Sequence, residues 1–142
     1  MNSSLVDANV ALALIVKSHT HHELARTWYR GLADQEFGFC RLVQLTVVRS
    51  LATKRVMGDA IMPLSAGWSV LCELAEDPRV AFVGEDAETE RQLPAMWRYS
   101  QPTPQLVNDG YLAALALSSG RRLVTFDQGF REFPELDVTV LG

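Results

Sequence analysis

The sequence predicts an α/β domain with a central, mostly parallel β-sheet flanked by helices. Two observations carry this reading. Short apolar stretches of strand length alternate with longer segments of helical period, the pattern of parallel strands joined by crossover helices. The 142 residues, 48% apolar and 21% charged, also suit one compact core with no room for a second, so a single domain over 1–142 is expected.

The elements follow in order. Leu5 and Val6 form a short strand ending at Asp7. Residues 8–16, rich in Ala, Leu and Val, are expected as a helix with Asn9 at its N-cap. Thr20 stands three residues before Glu23, the spacing of a capping box, and opens a helix carrying Leu24, Trp28 and Leu32 on one face. Residues 37–40 read as a buried strand, and 43–54 as a helix that overrides its β-branched residues. Pro63 suits the first turn of another helix, where Trp68, Leu71, Cys72 and Ala75 recur at helical spacing until Asp77-Pro78 ends it. A strand over 80–83 precedes a helix over 86–97, interrupted near Pro94. Residues 100–105 contain two prolines and are expected as a loop. An almost wholly apolar helix over 109–119 has Asn108 as cap and Gly120 as stop. Strands over 123–126, ending at Asp127, and over 138–141 complete the chain.

Seventeen acidic against thirteen basic residues give a net charge of −4. That balance argues against binding long duplexes by charge alone, but it is compatible with gripping a short RNA through a local basic patch. No apolar run approaches the roughly 20 residues of a membrane span, and the start of the chain has neither a basic segment nor an apolar signal core. A cytoplasmic location is therefore expected. Cys40 and Cys72 lie in apolar stretches without a CxxC pattern and read as buried free thiols.

Three carboxylates are the informative feature. Asp7 and Asp127 each end a strand, and Asp109 opens a buried helix. In a parallel sheet the carboxyl ends of the strands share one edge, and ligands bind in the crevice outside it. All three can thus converge across more than a hundred residues. Converging carboxylates repel unless a hard cation joins them. Oxygen donors without His or Cys favour Mg2+, with Mn2+ as substitute, over zinc. Such a site can activate water and neutralise charge on a phosphodiester in transit. Taken singly, each aspartate would also serve as a turn residue or a helix-terminal charge. That plainer explanation must hold three times at one edge.

The strings Leu5-Val6-Asp7-Ala8-Asn9, Asn108-Asp109-Gly110-Tyr111-Leu112-Ala113-Ala114-Leu115-Ala116 and Leu123-Val124-Thr125-Phe126-Asp127 closely resemble motifs of the PIN-domain family, in the right order and spacing. Phe39-Cys40-Arg41-Leu42-Val43-Gln44, with Arg49 beyond it, resembles the segment entering that family's third helix. Within the family, a chain this small is most similar to VapC-type toxins of type II toxin–antitoxin pairs. The resemblance implies metal-dependent endonucleolytic cleavage of RNA, often structured RNA such as tRNA. It also implies a homodimer and a cognate antitoxin, with Asp7, Asp109 and Asp127 as catalytic metal ligands.

The match departs from the family pattern at one point. The glutamate usual in the helix after the second strand is Gln44 here, and no acidic residue lies between Glu36 and Asp59. Gln44 can still hydrogen-bond at the catalytic site, but three carboxylates stand where four are common. One metal is then more credible than two, and the alternative is an inactive PIN-like module that binds RNA or protein. Asn9 and Thr125, two residues from Asp7 and Asp127, are candidates to orient carboxylates or waters from outside the ligand set. His19, His21 and His22 are expected at a solvated helix terminus rather than on a metal. Arg41, Arg49, Lys54 and Arg55 are candidates for one flank of an RNA path. Trp97-Arg98-Tyr99 either stacks on an unpaired base or, for Trp97, packs in the core or in a dimer interface. A phosphorylation receiver and an aspartyl phosphatase fit less well, lacking respectively the paired acids and late lysine, and the Asp-x-Asp motif.

Overall fold

The computed structural model describes residues 3–98, 101 and 103–142. Strands β1 (Ser4–Val6), β2 (Phe37–Phe39), β3 (Val80–Phe82), β4 (Arg122–Thr125) and β5 (Val138–Val140) form one sheet in the order β3-β2-β1-β4-β5. Every pairing is parallel, with Leu5 opposite both Gly38 and Leu123. Residues of β1 are buried throughout, because a central parallel strand is covered on both faces. Helices α1 (Ala8–Ile15), α2 (His22–Arg30), α3 (Arg41–Leu51), α4 (Lys54–Met57), α5 (Leu64–Leu74), α6 (Ala87–Trp97) and α7 (Gln105–Ser119) surround it. Among the described residues, no helix is long and apolar enough to cross a membrane.

The core joins Leu5, Val6, Leu123 and Val124 of the sheet to Val10 of α1, Val43 and Val47 of α3, and Leu112 and Leu115 of α7. Each Leu or Val buried in this way contributes about 1.5–3 kcal/mol relative to exposure.

Several helix boundaries differ from expectation, mostly through capping. Strand β1 runs directly into α1, so Asp7 rather than Asn9 is the N-cap, its side chain accepting from the Ala8 N–H. Helix α2 starts at His22 with His21 as an N-cap lacking a side-chain bond, and the Thr20–Glu23 box does not form. Its inward residues are His22 and Ala25, while Leu24 is 42% exposed. Helix α3 begins at Arg41, with Cys40 as its N-cap, and ends at Leu51; a separate short α4 follows. Pro63 is the N-cap of α5. Cys40 is buried as expected, whereas Cys72 is exposed because it lies on the outer side of α5.

The hairpin of α6 and α7 shows the largest shift. Helix α6 continues through Pro94, started by a reciprocal capping box between Asp86 and Thr89. Helix α7 begins at Gln105, four residues before Asp109, so neither Asn108 nor Asp109 is terminal. Its fully buried residues start only at Gly110, and Pro104 directly before Gln105 gives the helix start a loop-like setting in the sequence. Of the expected 100–105 loop, Ser100 and Pro102 lie outside the described residues, as does Tyr99. Gly120 closes α7 in the left-handed region, φ 67°, where glycine meets no Cβ penalty.

Candidate metal centre

Parallel pairing of β1 with β4 delivers the two chain segments to one edge. The Asp7 N–H donates to the Val124 carbonyl at 2.9 Å, so strand pairing persists to the aspartate itself. One step beyond Thr125 and Phe126, Asp127 caps a short 3-10 turn (Gln128–Glu132). The aspartates at both strand ends are therefore fixed by backbone geometry.

Hydrogen bonds then orient the carboxylates. Asp7 is only 9% exposed. Its Oδ1 accepts from the Ala8 N–H at 2.7 Å and its Oδ2 from the Thr125 hydroxyl at 2.7 Å. The same Thr125 oxygen accepts from the Asp127 N–H at 3.0 Å, so one buried side chain ties the two strand ends together. Asp127 Oδ1 accepts from the Gly129 N–H at 2.8 Å. A Cβ at Gly129 would stand 3.1 Å from that oxygen, closer than side chains ordinarily pack. Asp109, on the second turn of α7, borders a cleft of about 520 Å³ that also touches Met96, Leu106 and Phe133.

Electrostatics link all three. Burial, followed by the charges of Asp7 and Asp127, pushes the Asp109 carboxyl up to about 6. Burial also raises Asp7; the Thr125 and Ala8 bonds oppose this, and the charge of Asp127 adds to it. Among the described residues no three His, Cys, Asp or Glu side chains are drawn into a finished ligand cage. The donor chemistry fits a hard divalent cation: oxygen only, three carboxylates within electrostatic reach, and a proton affinity at Asp109 that a cation would replace.

The other expected residues are more dispersed. Thr125 meets Asp7 directly, whereas Asn9 is exposed on α1 and contacts none of the carboxylates by hydrogen bond. Gln44 lies in the first turn of α3, at the carboxyl end of β2, with its Oε1 accepting from Arg41 Nη1 at 2.7 Å. The histidines do not form one solvated group. His22 is buried with Nδ1 2.7 Å from the Ala13 carbonyl, and His21 stacks on Phe126 with ring centroids 4.6 Å apart. Trp97 lies against α7, donating its indole N–H to the Leu106 carbonyl, yet remains 38% exposed. Sequence reasoning missed Gly129, although Asp127-Gln128-Gly129 is a recognisable Asx-turn pattern. No spacing in the sequence announces the pairing of His21 with Phe126.

Fold and site define a parallel α/β domain with an oxygen-donor edge suited to a divalent cation. The family model of the PIN domain matches residues 4–136, and the chain belongs to the PIN domain family. Among its relatives, Ribonuclease VapC41 of Mycobacterium tuberculosis is 32% identical over 146 aligned residues, covering 97% of this chain and 98% of the relative. Ribonuclease VapC44 of the same species is 31% identical, covering 88% and 86%. The structure of VapBC2 from Rickettsia felis, bound to a DNA fragment from their promoter, superposes with a TM-score of 0.73 at 15% identity, covering 99% of both chains. Mycobacterium tuberculosis VapC20, a sarcin–ricin loop cleaving toxin, gives 0.64 at 17% identity, covering 94% and 98%. These solved structures establish likeness of fold.

Proposed function

We propose that the chain is a VapC-type endoribonuclease, a phosphodiester hydrolase dependent on Mg2+ with Mn2+ as substitute, acting as the toxin of a toxin–antitoxin pair on structured RNA such as tRNA. One observation carries the reading. Asp7, Asp109 and Asp127 meet at one sheet edge, in a chain similar over 97% of its length to a ribonuclease. There burial and then the charges of Asp7 and Asp127 raise Asp109, and the charge of Asp127 adds to the burial that raises Asp7.

Asp7, Asp109 and Asp127 would hold the ion, which when bound supplies an activated water and charge neutralisation at the scissile phosphate. By donating to its Oδ2, Thr125 aims Asp7 and favours its ionised form against the effect of burial. Asn9, exposed on α1 two residues beyond Asp7, would act only on the ion's waters, since it makes no hydrogen bond to the carboxylates. An antitoxin segment would cover this edge, and an arginine suits it because the guanidinium fork pairs with carboxylates and mimics the cation. A homodimer is part of the same proposal.

The test is cleavage of tRNA by the purified protein. Activity absent in EDTA and restored by Mg2+ or Mn2+ supports an active enzyme. Folded protein that never cleaves with either ion supports the alternative, an inactive binding module, which the neutral Gln44 favours.

A further inference from the structure

Arg41 is held in an unusual way for an exposed cation. Its guanidinium lies 4.8 Å from the ring centre of Phe82 and 5.7 Å from that of Trp68. Its Nη1 donates to Gln44 Oε1 at 2.7 Å. Among the described residues no carboxylate lies within ion-pairing distance of it. Phe82 and Trp68 are themselves 55% and 40% exposed, so the cation rests on a solvent-facing aromatic floor. Immobilising a rotamer-rich side chain carries an entropic cost, yet here no opposite charge is satisfied by it.

The location gives this purpose. Arg41 is the first residue of α3, directly after β2, and Phe82 is the last residue of β3. Both stand at the carboxyl edge that holds Asp7, one and two strands away. That is on the order of 5–10 Å across a sheet. Cys40, the residue before Arg41, lies close enough for the Asp7 charge to raise its thiol further, beyond the effect of burial.

We infer that Arg41 is a phosphate-binding residue for the RNA strand beside the metal centre, and that Gln44 positions it without neutralising it. This rests on the nuclease reading above and assigns Gln44 a partner other than the metal. A glutamate at position 44 would form an ion pair with Arg41 and withdraw its charge from RNA. The neutral amide keeps the same hydrogen bond and leaves the full charge available. Arginine over aromatic rings retains outward-facing N–H groups, because the stacked faces do not use them.

The test is anisotropy of a short fluorescein-labelled single-stranded RNA bound to the full chain in EDTA, over a range of KCl concentrations. Each phosphate neutralised on a single strand contributes about 0.7 to the slope of log affinity against log salt. Arg41→Ala is expected to weaken binding and reduce that slope by about 0.7, while Arg41→Lys keeps the slope. Gln44→Glu is expected to behave like Arg41→Ala, an effect that simple loss of packing would not produce. Either Arg41→Ala or Gln44→Glu with the wild-type slope would overturn the assignment, as would a wild type that fails to bind the RNA. Binding with these expected slopes, combined with no cleavage when Mg2+ is added, would uphold the phosphate site while rejecting the nuclease reading.

Discussion

The Thr125 hydroxyl donates to Asp7 and accepts from the Asp127 backbone in a site without room for water at that atom, since Thr125 is fully buried. Thr125→Val keeps the shape and removes both bonds. The orphaned carboxylate oxygen and N–H should cost about 1–3 kcal/mol in denaturant unfolding. Cleavage should fall roughly 10–100-fold, as for other partners that orient metal ligands. Thr125→Ser should retain activity, and wild-type cleavage by Thr125→Val would remove Thr125 from the site. Asp109 sets a pH dependence of definite sign. Its carboxyl is raised from 3.8 to about 6, and Asp7 is raised too, so the folded protein binds these protons more tightly than the unfolded chain. Their contribution to stability is complete below the unfolded value and is lost as pH rises through about 6. Metal-free melting temperature should therefore fall across that interval, and Asp109→Asn should flatten the fall. An Asp109→Asn profile parallel to wild type would show that neither burial nor the neighbouring carboxylates raise Asp109.

Among the elements, the α6–α7 hairpin carries Asp109, and its close approach depends on Gly110. A Cβ there would stand 2.2 Å from the Trp97 indole nitrogen, which donates to the Leu106 carbonyl. Gly110→Ala gains up to about 1 kcal/mol of helix propensity, but it must displace the indole. Overpacking of this kind costs about 1–3 kcal/mol, so we expect net destabilisation with altered tryptophan fluorescence. Unchanged fluorescence with raised stability would contradict the packing. This hairpin also shows where the sequence stopped being legible. The three aspartates and the order of strands were readable because strand ends and the apolar run after Asp109 are local signals. The start of α7 was not, since Pro104 stands directly before Gln105, Gln105 and Asn108 are polar, and the fully buried face begins only at Gly110. The Asn9 and Thr20 caps failed for a related reason: both residues have capping chemistry, but the chain turns into α1 at Asp7 and into α2 at His21. Arg41 was visible as a charge, whereas its aromatic floor comes from α5 and β3 and could be found only in three dimensions.

For the whole molecule, a net charge of −4 must coexist with binding a polyanion. A divalent cation held by the three aspartates would offset two of their three negative charges, and Arg41 would add positive charge farther along the same edge. The account therefore depends on the three carboxylates holding a cation together. The most direct test is calorimetric titration of Mn2+ into wild type and into Asp7→Asn, Asp109→Asn and Asp127→Asn, above the pH at which Asp109 ionises. Removing a full charge at contact range should lower affinity by at least about tenfold, or about 1.4 kcal/mol. The account predicts that loss for each of the three variants, all folded. Wild-type Mn2+ affinity in any folded variant would contradict a shared metal site.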